Sequence, residues 1–205
     1  LMQSISKVDG KITCIPNHME KKISFSLGKL RFIDSVHFMQ ASLDSLVKAT
    51  DKNDFVITHE NEPDENKCEL LLRKGVYPYE YMNSWECFQE TQLPEMDKFF
   101  STLTDEGISE EDYEHAKKVW KMFECQTLAD YHDLYLRTDT LLLADVFENF
   151  RSMCLKQYGL DPAHYYTSPG LSWDALLKKS KVKLELLTDY GMYLFVEKGL
   201  RGGIS

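Results

Sequence analysis

The sequence predicts an α/β chain, with strands first and helices after. Three observations carry this. Short runs near the start alternate apolar and polar residues, the period of a half-buried strand. From Ser109 onward apolar residues recur at intervals of three, four or seven, the period of a helix face. Between the two lies an acidic stretch with neither period.

In order, KITCI (11–15) reads as a strand and KKISFSLGKLRFIDS (21–35) as a hairpin turning at Gly28-Lys29. On its second strand Leu30, Phe32 and Asp34 share one face, with Arg31, Ile33 and Ser35 on the other. SLDSLVKA (42–49) predicts a short helix capped by Ser42. Thr50 to Lys67, which includes the acidic, proline-bearing HENEPDENK, predicts a loop or linker. CELLLRKGVYPYEYM (68–82) predicts a helix that ends near Lys74-Gly75. A short helix is expected around PEMDKFFSTL, within otherwise mixed residues 83–108.

SEEDYEHAKKVWKMF (109–123) predicts a helix, with Ser109 as cap, acids in its first turn and lysines after them. Tyr113, Val119, Trp120 and Phe123 form its partial apolar stripe. The longest helix is expected after Thr127, its apolar face made by Leu128, Tyr131, Tyr135, Leu142, Val146, Phe150 and Met153. Gly159 and then Asp161-Pro162 stop it. SPGLSWDALLKKS (168–180) predicts a further helix entered through Ser168-Pro169, with Trp173 in the core. LTDYGMYLFVEKGLRGG closes the chain as a helix or irregular apolar run.

Composition bounds the function. With 205 residues, 43% hydrophobic and 28% charged, the chain is an ordinary globular one. No run approaches the ~18 apolar residues of a membrane helix, so no membrane partner is expected. LMQSISKVDG lacks the pattern of a signal peptide. Cysteines at 14, 68, 87, 125 and 154 have neither CxxC nor zinc spacing and predict buried or idle thiols in a reducing, intracellular compartment. The six histidines show no paired ligand spacing. A net charge of −9 argues against wrapping nucleic acid by charge alone; it fits a carboxylate metal site or an ordinary acidic domain. Lys178, Lys179, Lys181 and Lys183 read as a phosphate-tracking patch or as a solvated helix end. The chain begins with Leu and stops at RGGIS with no closing element, so a fragment of a longer polypeptide is expected.

One stretch carries chemistry. YLRTDTLLLADVF opens with Tyr135 and Asp139, four residues and about one helical turn apart. A carboxylate can hold a divalent cation and a phenol can orient a water, a pairing suited to metal-assisted phosphodiester hydrolysis. The plainer reading is a core tyrosine beside a solvated acid.

The surrounding residues resemble a known family. YHDLYLRTDTLLLADVFENFR, then YGLDPAHYYTSPGLSWDALLK, then EKGLRGGIS resemble the organellar and viral, protein-primed type of family B DNA polymerase. The members borne by self-synthesising DNA transposons look most similar. The resemblance implies the C-terminal portion of a 3′–5′ proofreading exonuclease domain of ribonuclease H-like fold over residues 1–190. It also implies a helical insertion at about 80–126 and the start of the linker to the polymerase domain at 191–205. Tyr135 and Asp139 fall on the family's third exonuclease motif, Tyr-x-x-x-Asp. By resemblance Asp139 is a metal ligand, and Tyr135 orients the attacking water or the scissile phosphate.

Lys74-Gly75-Val76-Tyr77 is similar to the Lys-x-x-apolar motif whose lysine assists that site. A lysine favoured by a helix end is the alternative. Ser35-Val36 sits where relatives carry Ser/Thr-Leu against the single-stranded primer end, with Val in place of Leu. Leu200-Arg201-Gly202-Gly203 is similar to Tyr-x-Gly-Gly, which contacts the DNA strand, with Leu in place of Tyr; a plain hinge is the alternative.

The resemblance implies Mg2+ or Mn2+ as cofactor. It implies as partners the DNA primer-template with its single-stranded 3′ end, a terminal protein primer and the rest of the polymerase chain. Localisation would be nuclear for a transposon-borne enzyme. The Asp-x-Glu of the first exonuclease motif has no counterpart here, and the second motif is expected upstream of Leu1. The fragment alone is therefore expected neither to polymerise nor to proofread. Two rivals are a non-catalytic relic serving as a scaffold, and a stand-alone hydrolase using Tyr135, Asp139 and His132.

Overall fold

The computed structural model describes residue 7 and residues 10–16 and 22–200. Among these the chain is mixed α/β, mostly helical, with one small sheet. Strands β1 (Ile12–Pro16), β2 (Lys22–Leu27) and β3 (Leu30–Ile33) form an antiparallel meander in that order. Gly28 makes the β2–β3 turn at φ +59, a left-handed conformation that glycine adopts without steric cost. The register sets Phe25 opposite Phe32, and their rings stack with centroids 4.5 Å apart.

Helices α1 (Leu43–Ala49), α2 (Val56–Asn61) and α3 (Glu65–Leu71) follow. Ser42 caps α1, as its position predicts. The loop expected from Thr50 to Lys67 is instead largely helical, and the reason is capping. Asp51 caps a 3-10 turn at Lys52–Asp54, and Asp64 accepts from the Asn66 and Lys67 amides to start α3. The acids that look like linker residues are N-caps. Helix α2 takes its cap from far away: the buried Asp145 carboxylate accepts from the Ile57 amide at 2.7 Å, the Thr58 amide at 2.9 Å and the Thr58 hydroxyl at 2.6 Å. The helix expected over 68–82 begins earlier and ends at Leu71, three residues before Lys74. The short helix near PEMDKFFSTL is a 3-10 turn at Met96–Phe99.

Helix α4 (Glu110–Met122), capped by Ser109, leads into α5 (Leu128–Tyr158), 31 residues and about 46 Å long. Thr127 and Asp130 form a reciprocal capping box at its start, and Gly159 at φ +64 ends it. Helices α6 (Ser168–Ser180) and α7 (Tyr190–Gly199) complete the described chain.

Helix α5 is the spine on which three apolar clusters hang in succession. Its first turns meet Val76, Phe99, Ala116 and Val119 through Tyr131. Its middle brings Leu142 and Val146 against Val47 and Phe55. Its last third joins Cys154 to Phe38 and Leu171, with Phe147, Phe150 and Ile33 packed alongside. Of the expected stripe, Met153 is exposed, and Trp173 on α6 is 53% exposed rather than in the core. Cys68, Cys125 and Cys154 are buried free thiols, whereas Cys14 is exposed. No helix of the described residues is long and apolar enough to cross a membrane.

Candidate functional site

Tyr135 and Asp139 lie on α5 between the first cluster, which ends at Leu134, and the second, which begins at Leu142. A polar pair is tolerated there because the packing changes partners. After Leu71 the chain leaves helical geometry and runs along this gap. The buried Tyr131 hydroxyl pins it by donating to the Val76 carbonyl at 2.6 Å. Gly75 then passes so close to Tyr135 that a Cβ would lie 2.7 Å from the ring's Cδ2. Tyr77 stacks on the same ring, with centroids 4.7 Å apart and planes 25° apart.

The Lys74 side chain is thereby aimed at the pair. Its Nζ donates to the Tyr135 hydroxyl at 2.9 Å and to Asp139 Oδ2 at 3.2 Å. The structure brings together three candidates that stand 61 and 65 residues apart in sequence. Lys74 is not a helix-end lysine, since α3 has already stopped. A fourth group, Tyr79, escaped the sequence reading: its hydroxyl contacts that of Tyr135, and Lys74 lies 3.4 Å from it. Its place in YPYEY, five residues after the lysine, was the signal available.

The surroundings shift two of the three groups. Burial pulls the Lys74 ammonium down, but the Asp139 carboxylate, with help from Tyr79, raises it further, and the net shift is upward. Burial raises the Tyr135 phenol well above its usual range, and its contacts with Tyr79 and Asp139 add to this. At neutral pH Lys74 is an ammonium and Tyr135 a neutral phenol. Tyr135 can therefore orient a water or phosphate but does not serve as a base.

Asp139 Oδ1 is buried and meets no hydrogen-bond partner. An unpaired buried carboxylate oxygen is costly, and a divalent cation is one group that would satisfy it. Yet among the described residues no group of three or more His, Cys, Asp or Glu is placed to hold a metal. The residues present thus fit one ligand of a Mg2+ or Mn2+ site and not the whole coordination shell.

Ser35 opens a 3-10 turn, Ser35–His37, whose Val36 amide bonds to Asp34 Oδ1 at 3.1 Å. Val36 is exposed. Ser35, Arg31 and Phe32 form one wall of a groove of about 370 Å3, and Thr140, Leu143 and Phe147 of α5 form the other. Thr140 follows Asp139 directly in sequence, but none of Lys74, Tyr135 and Asp139 lines the groove. His132 bonds through Nδ1 to the Tyr77 hydroxyl at 2.7 Å, and Tyr77 lies between it and Tyr135. Arg201, Gly202 and Gly203 lie outside the described residues. Lys178 Nζ bonds to the Gly159 carbonyl at 2.8 Å and so closes the C-terminus of α5. Comparison with known protein families, with curated proteins and with solved structures returned no match.

Proposed function

We propose that the chain is part of a family B DNA polymerase of the organellar and viral type, drawn from its 3′–5′ proofreading exonuclease domain. On this reading the domain has a ribonuclease H-like fold, residues 80–126 are an insertion, and residues from 191 lead into the polymerase domain. The observation that carries the proposal is the convergence of Lys74, Tyr135 and Asp139 around a buried, unpaired carboxylate oxygen.

The three residues then have separable roles. The Lys74 ammonium stabilises negative charge that builds on a scissile phosphate. The neutral Tyr135 phenol positions the attacking water or a phosphate oxygen. Asp139 holds Mg2+ (or Mn2+), which when bound supplies an activated water and charge stabilisation at the leaving oxygen. The groove between Ser35 and Thr140 takes the single-stranded 3′ end, and Arg201, Gly202 and Gly203 contact the strand on its way to the polymerase domain. Further carboxylates come from polymerase sequence outside this chain. The partners are the primer-template, a terminal protein primer and the rest of the polymerase, within the cell and in the nucleus for a transposon-borne enzyme.

The test is mutational. In the polymerase that carries this segment, Asp139→Asn should slow removal of a mispaired 3′ nucleotide by about a hundredfold or more and leave nucleotide addition intact. The 205-residue chain alone should show no Mg2+-dependent nuclease activity. Undiminished proofreading by the Asp139→Asn enzyme overturns the assignment. Metal-dependent cleavage by this chain, lost in Asp139→Ala, overturns the claim that ligands come from elsewhere.

The second reading is a non-catalytic relic that acts as a scaffold. It is favoured by one fact: Lys74 already pairs with Asp139, as a purely structural node would. Absence of proofreading in the parent chain, with or without Asp139, is the outcome this reading requires.

A further inference from the structure

The segment from Tyr81 to Glu90 lies in the stretch whose sequence has no readable role, and the structure braces it firmly. The Tyr81 hydroxyl donates to both Glu90 carboxylate oxygens, at 2.7 and 2.9 Å, and this pushes the Tyr81 phenol up to about 12. The Glu90 carbonyl accepts from the amide of Leu128, the first residue of α5, at 2.8 Å. The Cys87 thiol reaches the Tyr81 carbonyl at 3.5 Å. Glu80 accepts from the Thr102 amide and hydroxyl. At the tip of this braced loop stands Trp85, 84% exposed.

An indole is one of the largest apolar surfaces a residue can leave in water, and its usual place is a core or an interface. A slack loop would explain the exposure, but this loop is tied down at four points. Trp85 is also continuous with the site already described. Its ring lies 5.6 Å from that of Phe88, which meets His132 edge-on at 5.0 Å. His132 bonds to Tyr77, and Tyr77 stacks on Tyr135. A track of rings therefore connects the trio to the surface, and beside its outer end a cleft of about 210 Å3 is lined by Met82, Asn83, Ser84, Trp85 and Phe88.

We propose that Trp85 is a stacking platform for a base of the single-stranded DNA whose 3′ end enters the Lys74–Tyr135–Asp139 site. The proposal rests on the reading of that site as one that takes a DNA end. Aromatic faces bind single strands without sequence preference because every base offers a π-face, and alanine substitution at such a ring costs about tenfold or more in affinity. Acids flank the ring, with Glu86 exposed beside Trp85 and Glu80 and Glu90 hydrogen-bonded to Thr102 and Tyr81, so no phosphate contact is expected at this end. The platform contributes stacking, and the ammonium of Lys74 contributes the phosphate contact.

Fluorescence anisotropy of a labelled oligothymidylate and of an abasic strand of equal length, titrated with the full chain at low salt, tests this. Trp85→Ala should weaken oligothymidylate binding by about tenfold or more and leave abasic-strand binding and the salt dependence unchanged. Trp85→Phe should retain most of the affinity. Because the ring is exposed, neither change removes core packing. Equal affinity of wild type and Trp85→Ala for oligothymidylate, with Lys74→Ala weakened, overturns the platform and leaves the site reading standing. No binding of either strand by the wild type overturns both.

Discussion

Gly75 and Tyr135 meet so closely that the sign of a substitution is decided by one contact. Gly75 is not held at a positive φ, so replacing it with alanine would ordinarily stabilise the fold by about 0.4–1 kcal/mol, by restricting the unfolded chain. Here the new methyl would sit 2.7 Å from Tyr135 Cδ2 and 3.0 Å from Cε2. The ring has little freedom to retreat: Tyr77 stacks on it, and its hydroxyl is engaged by Lys74 and Tyr79. Gly75→Ala should therefore destabilise by about 1–3 kcal/mol in urea denaturation, the range of an overpacked interior. The penalty should largely vanish in a Tyr135→Ala background, where the methyl meets space. If Gly75→Ala destabilises both backgrounds equally, the clash is not its cause. Lys-Gly-Val-Tyr is quoted in the sequence for its lysine, yet the residue that lets the lysine arrive is the glycine. That requirement depends on a ring 60 positions away and leaves no local trace.

At the level of elements, legibility follows the distance between a helix and its cap. Helix α5 can be placed from sequence because both its signals are local: Thr127 with Asp130 at one end, Gly159 at the other. The same holds for α1 and α4, which Ser42 and Ser109 cap. Helix α2 could not be placed. Its six residues, VITHEN, show no periodicity, its N-cap Phe55 makes no side-chain bond, and the carboxylate that satisfies its first amides belongs to Asp145, 88 and 87 positions away. In the sequence Asp145 looks like one polar residue in an apolar run. These dependences predict unequal outcomes. Thr127→Ala should cost about 1 kcal/mol, because nearby water can replace the lost cap. Asp145→Ala should cost about 3–5 kcal/mol, because two amides and a buried hydroxyl lose a charged acceptor at once. Amide hydrogen exchange reads the difference. In Asp145→Ala the amides of Ile57 and Thr58 should exchange far faster, with the start of α5 still protected. Unchanged protection at Thr58 would rule out Asp145 as the cap of α2.

Over the whole molecule residues 80–126 are not an appendage, because the first of the three clusters is built from them. Phe99, Ala116 and Val119 come from residues 80–126 and close on Val76 and Tyr131. Their sequence shows only a partial stripe on α4, so the packing partner could not be read in advance, and neither could the charge that sits at the joint. His115 of α4 is held down to about 4, first by burial and then by the Arg73 guanidinium; Asp112 opposes this and Lys118 reinforces it. Arg73 follows α3 on the site side of the cluster and is itself bonded to Asp112. The sign of the pH dependence follows. In the unfolded chain the imidazole titrates near 6.5, so between about 6.5 and about 4 the unfolded state binds a proton that the folded state refuses. Stability must therefore fall as pH drops through that window and level off, for this group, below about 4. The strongly depressed acid Asp161 acts lower in pH. Asp161, held down to about 2 by Arg151, gives up its contribution only below its unfolded value of 3.8. Urea midpoints taken across the window should decline more steeply for the wild type than for His115→Gln, which lacks the proton site. Because residues 80–126 and the Lys74 segment share this cluster, the wild type should also lose protection at the Val76 amide over the same range. Parallel pH profiles for the two proteins would mean that His115 is open to solvent and that α4 does not close on Arg73.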